Sequence, residues 1–251
     1  RLRELSQAGA ALMPGTFARS GYRDHSSQGE RWRISVIIDE DLDKSLDTVD
    51  LFNEHHSHEE NGRAMIDMLE MKVGNGNDID TALDIIPEGM FPFFEFPVTT
   101  DCRGYAAALA GNSAGAKIRT GGVVGNAFPT VEEVAAFLHA CAAADVPFKA
   151  TAGLHHACRG SQRLTYEKDS ASCTMHGFLN IFLAAALVRS SRSDEAATAE
   201  VLRTEDPSVF KFSQDVVACG SRMVEVMDLA HVRESFALSF GSCSFDEPVE
   251  E

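Results

Sequence analysis

Two segments of this chain repeat one pattern, and their spacing constrains the fold. Residues 116–122 (AKIRTGG) and 148–154 (FKATAGL) both run apolar, Lys, apolar, polar, small, Gly. Their lysines, Lys117 and Lys149, lie 149 − 117 = 32 residues apart. That is the length of one strand–helix–strand crossover in a parallel sheet. The sequence therefore predicts two neighbouring parallel strands, each with a lysine in an apolar setting.

The rest of the chain alternates between strand and helix patterns. Thr130 and Glu133 form a capping box that starts a helix between the two lysine strands. Further strands are predicted at 33–39, 65–73, 90–98 and 236–245, and further helices at 45–60, 176–188, 193–203 and 221–233. Residues 159–172 are polar and without a period, which is typical of a loop.

Strands that alternate with helices indicate a parallel sheet covered by helices. An open doubly wound sheet is one solution, but inward polar groups at the carboxyl ends of several strands favour the mouth of a barrel. We expect a single α/β domain over 1–251, a parallel (β/α)8 TIM-barrel-like fold with a helical insertion at about 176–234 before the last strand. Six strands are predicted, so the first two of eight either precede Arg1 or are absent.

Charge and cysteine content exclude several classes of partner. The net charge of −16 repels nucleic-acid phosphates and anionic lipid, so we expect no nucleic acid as a partner. No apolar run reaches the roughly 20 residues that span a bilayer, so membrane insertion is not expected either. The six cysteines form no CxxC pair, which is typical of reduced thiols in the cytoplasm or in an organelle matrix or stroma.

The lysine pair is the first candidate for chemistry. Because alternate residues of a strand share a face, one face carries the side chains of Lys117, Arg119, Lys149 and Thr151, with Gly121 and Gly153 beyond them. Two ammonium groups in one desolvated pocket repel each other, which favours a neutral amine that acts as a base or attacks a carbonyl to form a Schiff base. Glu95 on the preceding strand is a candidate catalytic carboxylate. The alternative is that Glu95 and Lys117 form a structural ion pair.

A second group of residues is suited to holding an anion. The planar fork of Arg119 binds oxyanions in pairs, and Gly121 and Gly122 leave backbone N–H groups accessible. Gly153 and the Gly241–Ser242 pair end later strands, where barrels often bind phosphate. The alternative is that these glycines only make tight turns.

Three histidines complete the candidate site. His155 and His156 follow the second lysine strand, and on an extended segment at most one of them would line the pocket as an acid or base. His176 is expected to reach the same mouth across the 159–172 loop and to bind substrate. The spacing matches no HExxH-like pattern, so we expect neither a metal nor a cofactor.

The motifs KIRTGG, PFKATAGLHH, HGFLN and FGSCSF are similar to those of an uncharacterised, mostly bacterial (β/α)-barrel family. The resemblance implies an eight-stranded barrel and brings no established reaction. The residues of this chain that match the family's motifs at candidate site positions are Lys117, Arg119, Lys149, His155, His156, His176 and Ser242. This chain departs from the pattern at Ala157 and Cys158, where a proline is expected after the second histidine. The two upstream strands of the family are not among the six strands predicted here.

The two lysine segments also resemble the lysine strands of deoxyribose-phosphate aldolase-type enzymes, in reversed order. That resemblance implies Lys149 as the Schiff-base lysine and Lys117 as the second lysine. We expect an enzyme that acts on a small anionic carbonyl compound, bearing phosphate or carboxylate. The reaction would be that of a class I aldolase-like lyase or of an isomerase. The alternative is a non-catalytic degenerate barrel that serves as a subunit of a larger protein assembly.

Overall fold

The structure is a computed structural model, and it describes residues 32–39, 41–58, 61, 64–165, 169–190 and 193–241. These residues form two compact units. The first contains the described residues up to Val73 together with Asn77–Phe94, and the second contains Gly74–Gly76 and the described residues from Glu95 onward. The expectation of one domain over 1–251 stays a prediction.

The first unit is built on a parallel strand pair. Its elements are β1 (Trp32–Ile38), α1 (Leu42–His55), β2 (Ala64–Lys72), α2 (Gly76–Ile85) and β3 (Phe91–Glu95). β2 lies between β1 and β3. α1 buries Leu46, Val49 and Phe52, whose three-residue spacing places one apolar stripe against the strands.

The second unit contains the two lysine strands. Its parallel strands are β4 (Gly115–Arg119), β5 (Phe148–Thr151) and β11 (Ala237–Gly241), with β5 in the middle. Its helices are α3 (Arg103–Leu109), α4 (Val131–Ala143), α5 (Phe178–Arg189), α6 (Glu195–Arg203) and α7 (Val226–Ser235). α5 is apolar on nearly every side, as expected of a helix that is covered by neighbours all round.

The α/β class predicted from the sequence is confirmed, because helices connect parallel strands in both units. The described residues hold six strands of this kind, of the eight that a closed (β/α)8 barrel needs. The last strand is described up to Gly241, and the predicted site residue Ser242 lies outside the described residues.

The loop predicted at 159–172 is wrong. β6 (Gly160–Arg163) and β7 (Ser172–Met175) pair in antiparallel fashion, from Gly160 opposite Met175 to Arg163 opposite Ser172. Side-chain burial alternates along both strands. The period of two is present, but polar residues carry it, so hydrophobic periodicity does not reveal it.

The insertion predicted as helical at 176–234 also contains a small antiparallel sheet. Its strands are β8 (Phe210–Phe212), β9 (Val216–Cys219) and β10 (Arg222–Glu225), in the order β10-β9-β8. The helix predicted at 221–233 therefore begins only at Val226. A two-residue Gly220–Ser221 loop joins β9 to β10, and Gly220 has the positive φ of +59° that such hairpin turns need. A Gly-Ser dipeptide between two segments that contain β-branched residues is a hairpin signal. The prediction of a helix from residue 221 did not take this signal into account.

No helix within the described ranges combines the length and the apolar content that a membrane crossing requires. Among the described residues, Cys102, Cys141, Cys173 and Cys219 are free thiols.

The capping box predicted at the start of α4 is present. The hydroxyl of Thr130 accepts a hydrogen bond from the backbone N–H of Glu133 at 3.2 Å, and the Glu133 carboxylate accepts one from the Thr130 N–H at 2.7 Å. Replacing Thr130 by Ala leaves helix donors without a partner, so we expect Thr130→Ala to lower the free energy of unfolding by about 1 kcal/mol. Urea denaturation measures this loss. Thr48→Ala, the same change at an exposed position within α1, should have little effect, and equal losses at both positions would contradict the capping role.

Candidate functional site

The two lysine strands are neighbours in register. Lys117 of β4 lies opposite Lys149 of β5, and Arg119 lies opposite Thr151. This confirms the adjacency that the 32-residue spacing predicts. On the other side of β5, Ser239 lies opposite Lys149 and Gly241 opposite Thr151.

A carboxylate holds the first lysine. The Lys117 ammonium lies 2.8 Å from an oxygen of Glu95, and the two side chains are only 6% and 10% exposed. Lys149 is half-buried. The ion pair that the sequence offered as the structural alternative is therefore present, beside a lysine that remains more accessible.

The turns after the two lysine strands touch through glycines. A Cβ on Gly121 would lie 2.8 Å from the Cα of Gly153 and 2.6 Å from the ring of Phe128. Gly153 has a φ of +74°, and Ala152 before it is also left-handed at +62°. The Thr120 hydroxyl donates to the carbonyl oxygen of Ala152 and secures this strained turn. Close contact accounts for all three glycines, because a Cβ on Gly122 would lie 2.8 Å from the Cβ of Ala127.

A cavity of about 290 Å³ lies beyond these turns. One part of its wall follows β4 and β5 and comprises Gly122, Phe128, Gly153, His155 and His156. The β6–β7 hairpin supplies the rest, namely Gln162, Arg163, Leu164, Thr165 and Met175. Neither Lys117 nor Lys149 is among the lining residues, so the cavity lies past the ends of the strands that carry them.

Both adjacent histidines line the cavity, which corrects the expectation that at most one would. His155 and His156 lie in an irregular segment rather than in an extended strand, so their side chains need not point to opposite sides. Their ring centroids are 6.4 Å apart in an edge-on arrangement.

The segment that carries these histidines is anchored on the first turn of α5. The backbone N–H groups of Phe178 and Leu179 donate to the carbonyl oxygens of His156 and Ala157 at 3.0 and 2.9 Å. The side-chain oxygen of Asn180 accepts from the N–H of Arg159 at 2.9 Å. These helix N-terminal donors are thus satisfied by the histidine segment, which holds it in place.

Two further contacts explain the HGFLN motif. The amide nitrogen of Asn180, which is fully buried, donates to the carbonyl oxygens of Val201 and Thr204 at 2.8 Å. A Cβ on Gly177 would lie 2.4 Å from the backbone of Cys158, so only glycine allows this approach.

His176 lies in the interior, directly after the cavity residue Met175. It is 1% exposed, and its Nε2 lies 2.7 Å from the carbonyl oxygen of Pro129. Since a carbonyl only accepts, Nε2 carries the hydrogen and Nδ1 does not. Burial lowers the pKa of His176; the charge of Arg159 also lowers it, and the bond to Pro129 opposes both. Its substrate-binding role stays a prediction.

Arg119 is exposed and lies at the edge of the cavity. Its Nη2 is 3.7 Å from the point that a Cβ on Gly122 would occupy. Thr151 is half-buried, and no described group forms a hydrogen bond with its hydroxyl. Sequence reasoning missed the hairpin residues Gln162, Arg163 and Thr165, because it treated 159–172 as an unstructured connection. The β6 sequence GSQR carries no apolar alternation, so the sequence gives no strand signal for these residues.

Comparison with models of known protein families, with curated proteins and with solved structures finds no match for this chain. Within the part of the chain that the structure describes, no three His, Cys, Asp or Glu side chains gather closely enough to hold a metal ion. The candidate site is therefore defined by its own geometry: a lysine pair in register, one member neutralised by Glu95, below a cavity with two histidines.

The buried ion pair makes a stability prediction. Lys117→Met leaves the Glu95 carboxylate buried without its partner, and we expect a loss of about 3–5 kcal/mol in the free energy of unfolding. Combining it with Glu95→Leu removes both charges and should recover most of that loss. Urea denaturation of the single and double variants measures the recovery. Asp101→Asn, which breaks the exposed pair with Arg103, is the control and should change little. A double variant no more stable than Lys117→Met would contradict the coupling.

His176 makes stability depend on pH. In the unfolded chain this histidine takes up a proton as the pH falls through about 6.5, whereas the folded protein, with its lowered pKa, does so only at lower pH. Between those two pKa values the unfolded state binds more protons, so stability falls as the pH falls. His176→Gln retains an N–H donor for Pro129 but does not titrate. Urea midpoints at pH 8, 6 and 5 should fall further for the native chain than for His176→Gln. Parallel curves would show that His176 does not titrate in this way.

Proposed function

We propose that this protein is a lysine-dependent enzyme of the aldolase or lyase type that acts on a small anionic carbonyl compound. Its parallel strands form part of a (β/α)8-type barrel. The observation that supports this best is the in-register pair, in which Lys149 lies beside Lys117 while Glu95 neutralises Lys117.

Lys149 is the reacting amine in this proposal. Its neutral Nζ attacks the carbonyl carbon of the substrate, and the resulting carbinolamine loses water to give an imine. The bond between Cα and Cβ of the protonated imine then breaks. A base takes the proton of the β-hydroxyl, the β fragment leaves as an aldehyde or ketone, and the electron pair of the broken bond moves toward the imine nitrogen to give an enamine. Protonation of the enamine carbon and hydrolysis then release the product and restore the amine.

The remaining residues have supporting roles. Because Glu95 offsets the charge of Lys117, repulsion between the two ammonium groups is weaker than for two unpaired lysines. Lys117 is thus a positioning residue that fixes the polar layer next to Lys149. His155 and His156 are exposed to the cavity and are the candidates for moving protons during imine formation and hydrolysis.

The alternative is a non-catalytic subunit of a larger assembly. Two observations favour it: a buried Lys117–Glu95 pair is sufficient to explain a lysine in this sheet, and neither lysine lines the cavity. In addition, Phe212, Met223 and Met227 expose 62%, 59% and 82% of their surface, which is apolar area available to a partner.

Borohydride trapping distinguishes the two functions. The native chain is incubated with a panel of aldehydes, keto acids and phosphorylated ketoses, reduced with borohydride, and digested for peptide mass analysis. We expect a reduced adduct on Lys149 that is absent in Lys149→Met and retained in Lys211→Met, where the lysine is exposed on β8. An adduct on every accessible lysine alike, or no adduct with any compound, would contradict the Schiff-base mechanism and favour the alternative, a non-catalytic subunit of a larger assembly.

A further inference from the structure

The arginines of the described residues fall into two groups. Six of them pair with a carboxylate, namely Arg33, Arg103, Arg159, Arg189, Arg203 and Arg222. Arg233 lies over the ring of Phe182, 6.0 Å from its centroid. Arg119 and Arg163 remain, and no carboxylate or ring within the described part of the chain pairs with either.

Both of these arginines lie close to one cavity. Arg163 lines it from the β6 strand. Arg119 is not a lining residue, but its Nη2 lies 3.7 Å from the Cβ position of the lining residue Gly122, which places it at the rim. The chain has a net charge of −16, so carboxylates are plentiful, yet no carboxylate of the described residues pairs with these two guanidinium groups. Two uncompensated guanidinium groups at one concave site favour an anionic ligand.

The cavity also has an apolar side. Phe128, Leu164 and Met175 contribute to its lining, and Met175 is only 4% exposed. A volume of about 290 Å³ is at the small end of ligand sites. The occupant that fits is therefore a small molecule with one anionic end and one apolar portion.

The number of donors favours phosphate over carboxylate. Each guanidinium fork can donate two parallel hydrogen bonds, and the two forks come from different elements. A carboxylate has two oxygens and one negative charge, which a single fork satisfies. A phosphate monoester has three free oxygens and carries close to two negative charges at neutral pH, so it can engage both forks.

We infer that this cavity binds an organic phosphate monoester, with its phosphate between Arg119 and Arg163 and its carbon skeleton on Phe128, Leu164 and Met175. If the bound monoester is the substrate, this inference rests on the proposed function, and it narrows the substrate class to phosphorylated carbonyl compounds. As a binding site it does not require the amine of Lys149.

Calorimetric titration with three unreactive probes tests the inference: phenyl phosphate, inorganic phosphate and benzoate, at low ionic strength. We expect phenyl phosphate to bind at least tenfold more tightly than inorganic phosphate, which lacks the apolar group, and than benzoate, which lacks the third oxygen. Arg119→Gln and Arg163→Gln should each weaken phenyl phosphate binding about tenfold or more. Both side chains are exposed, so neither change should unfold the protein.

Two controls separate the possible failures. Arg233→Gln removes an arginine that no carboxylate holds and that lies on α7, and it should leave binding unchanged. Lys149→Met should also retain phenyl phosphate binding, so a failed trapping experiment with intact binding contradicts the Schiff base and not the phosphate site. Equal affinity for benzoate, unchanged binding in both arginine variants, or no binding of phenyl phosphate would overturn the inference.

Discussion

A positively charged lysine side chain is stable inside a parallel sheet when an anion compensates its charge, and in this protein Glu95 does so for Lys117. The consequences extend along the neighbouring strand. With Lys117 held, the β4–β5 register places Lys149 beside a neutral ion pair rather than beside a free cation. Two residues of the same type thereby acquire different environments: one is buried and paired, the other is half-buried.

The space above the lysines depends on backbone contacts rather than on side chains. Gly121 and Gly153 let two turns touch, and Gly177 lets the start of α5 approach the chain at Cys158. The first amides of α5 then bind the carbonyl oxygens of the segment that carries His155 and His156. Because these donors are already used, the N-terminus of α5 is a support for the cavity wall. The cation that lines the cavity is Arg163 of β6, and Arg119 at the end of β4 lies next to the lining residue Gly122.

Local rules were enough for part of this arrangement. The 32-residue repeat predicts neighbouring lysine strands, since a crossover of that length has few other solutions. The Thr130–Glu133 capping box marks the start of α4 through contacts within four residues. The alternation of side chains offers Glu95 as a partner for Lys117, but it leaves open whether the pair forms. The β6–β7 hairpin could not be found in this way, because its strands are mostly polar and β6 shows no alternation of apolar residues. The exposure of both His155 and His156 likewise depends on a bend in the chain that alternation does not predict.

By itself, the amino-acid sequence determined the α/β class, the order of the lysine strands and the identity of the charged residues on their shared face. These properties follow from periodicity and spacing, which short-range sterics and hydrogen bonding impose. Only the tertiary structure decided that Lys117 pairs with Glu95, that Arg163 lines a cavity with Arg119 at its rim, and that His176 is buried. Those outcomes depend on contacts between residues that are far apart in the chain, such as His176 with Pro129, and such contacts form only when the elements pack together.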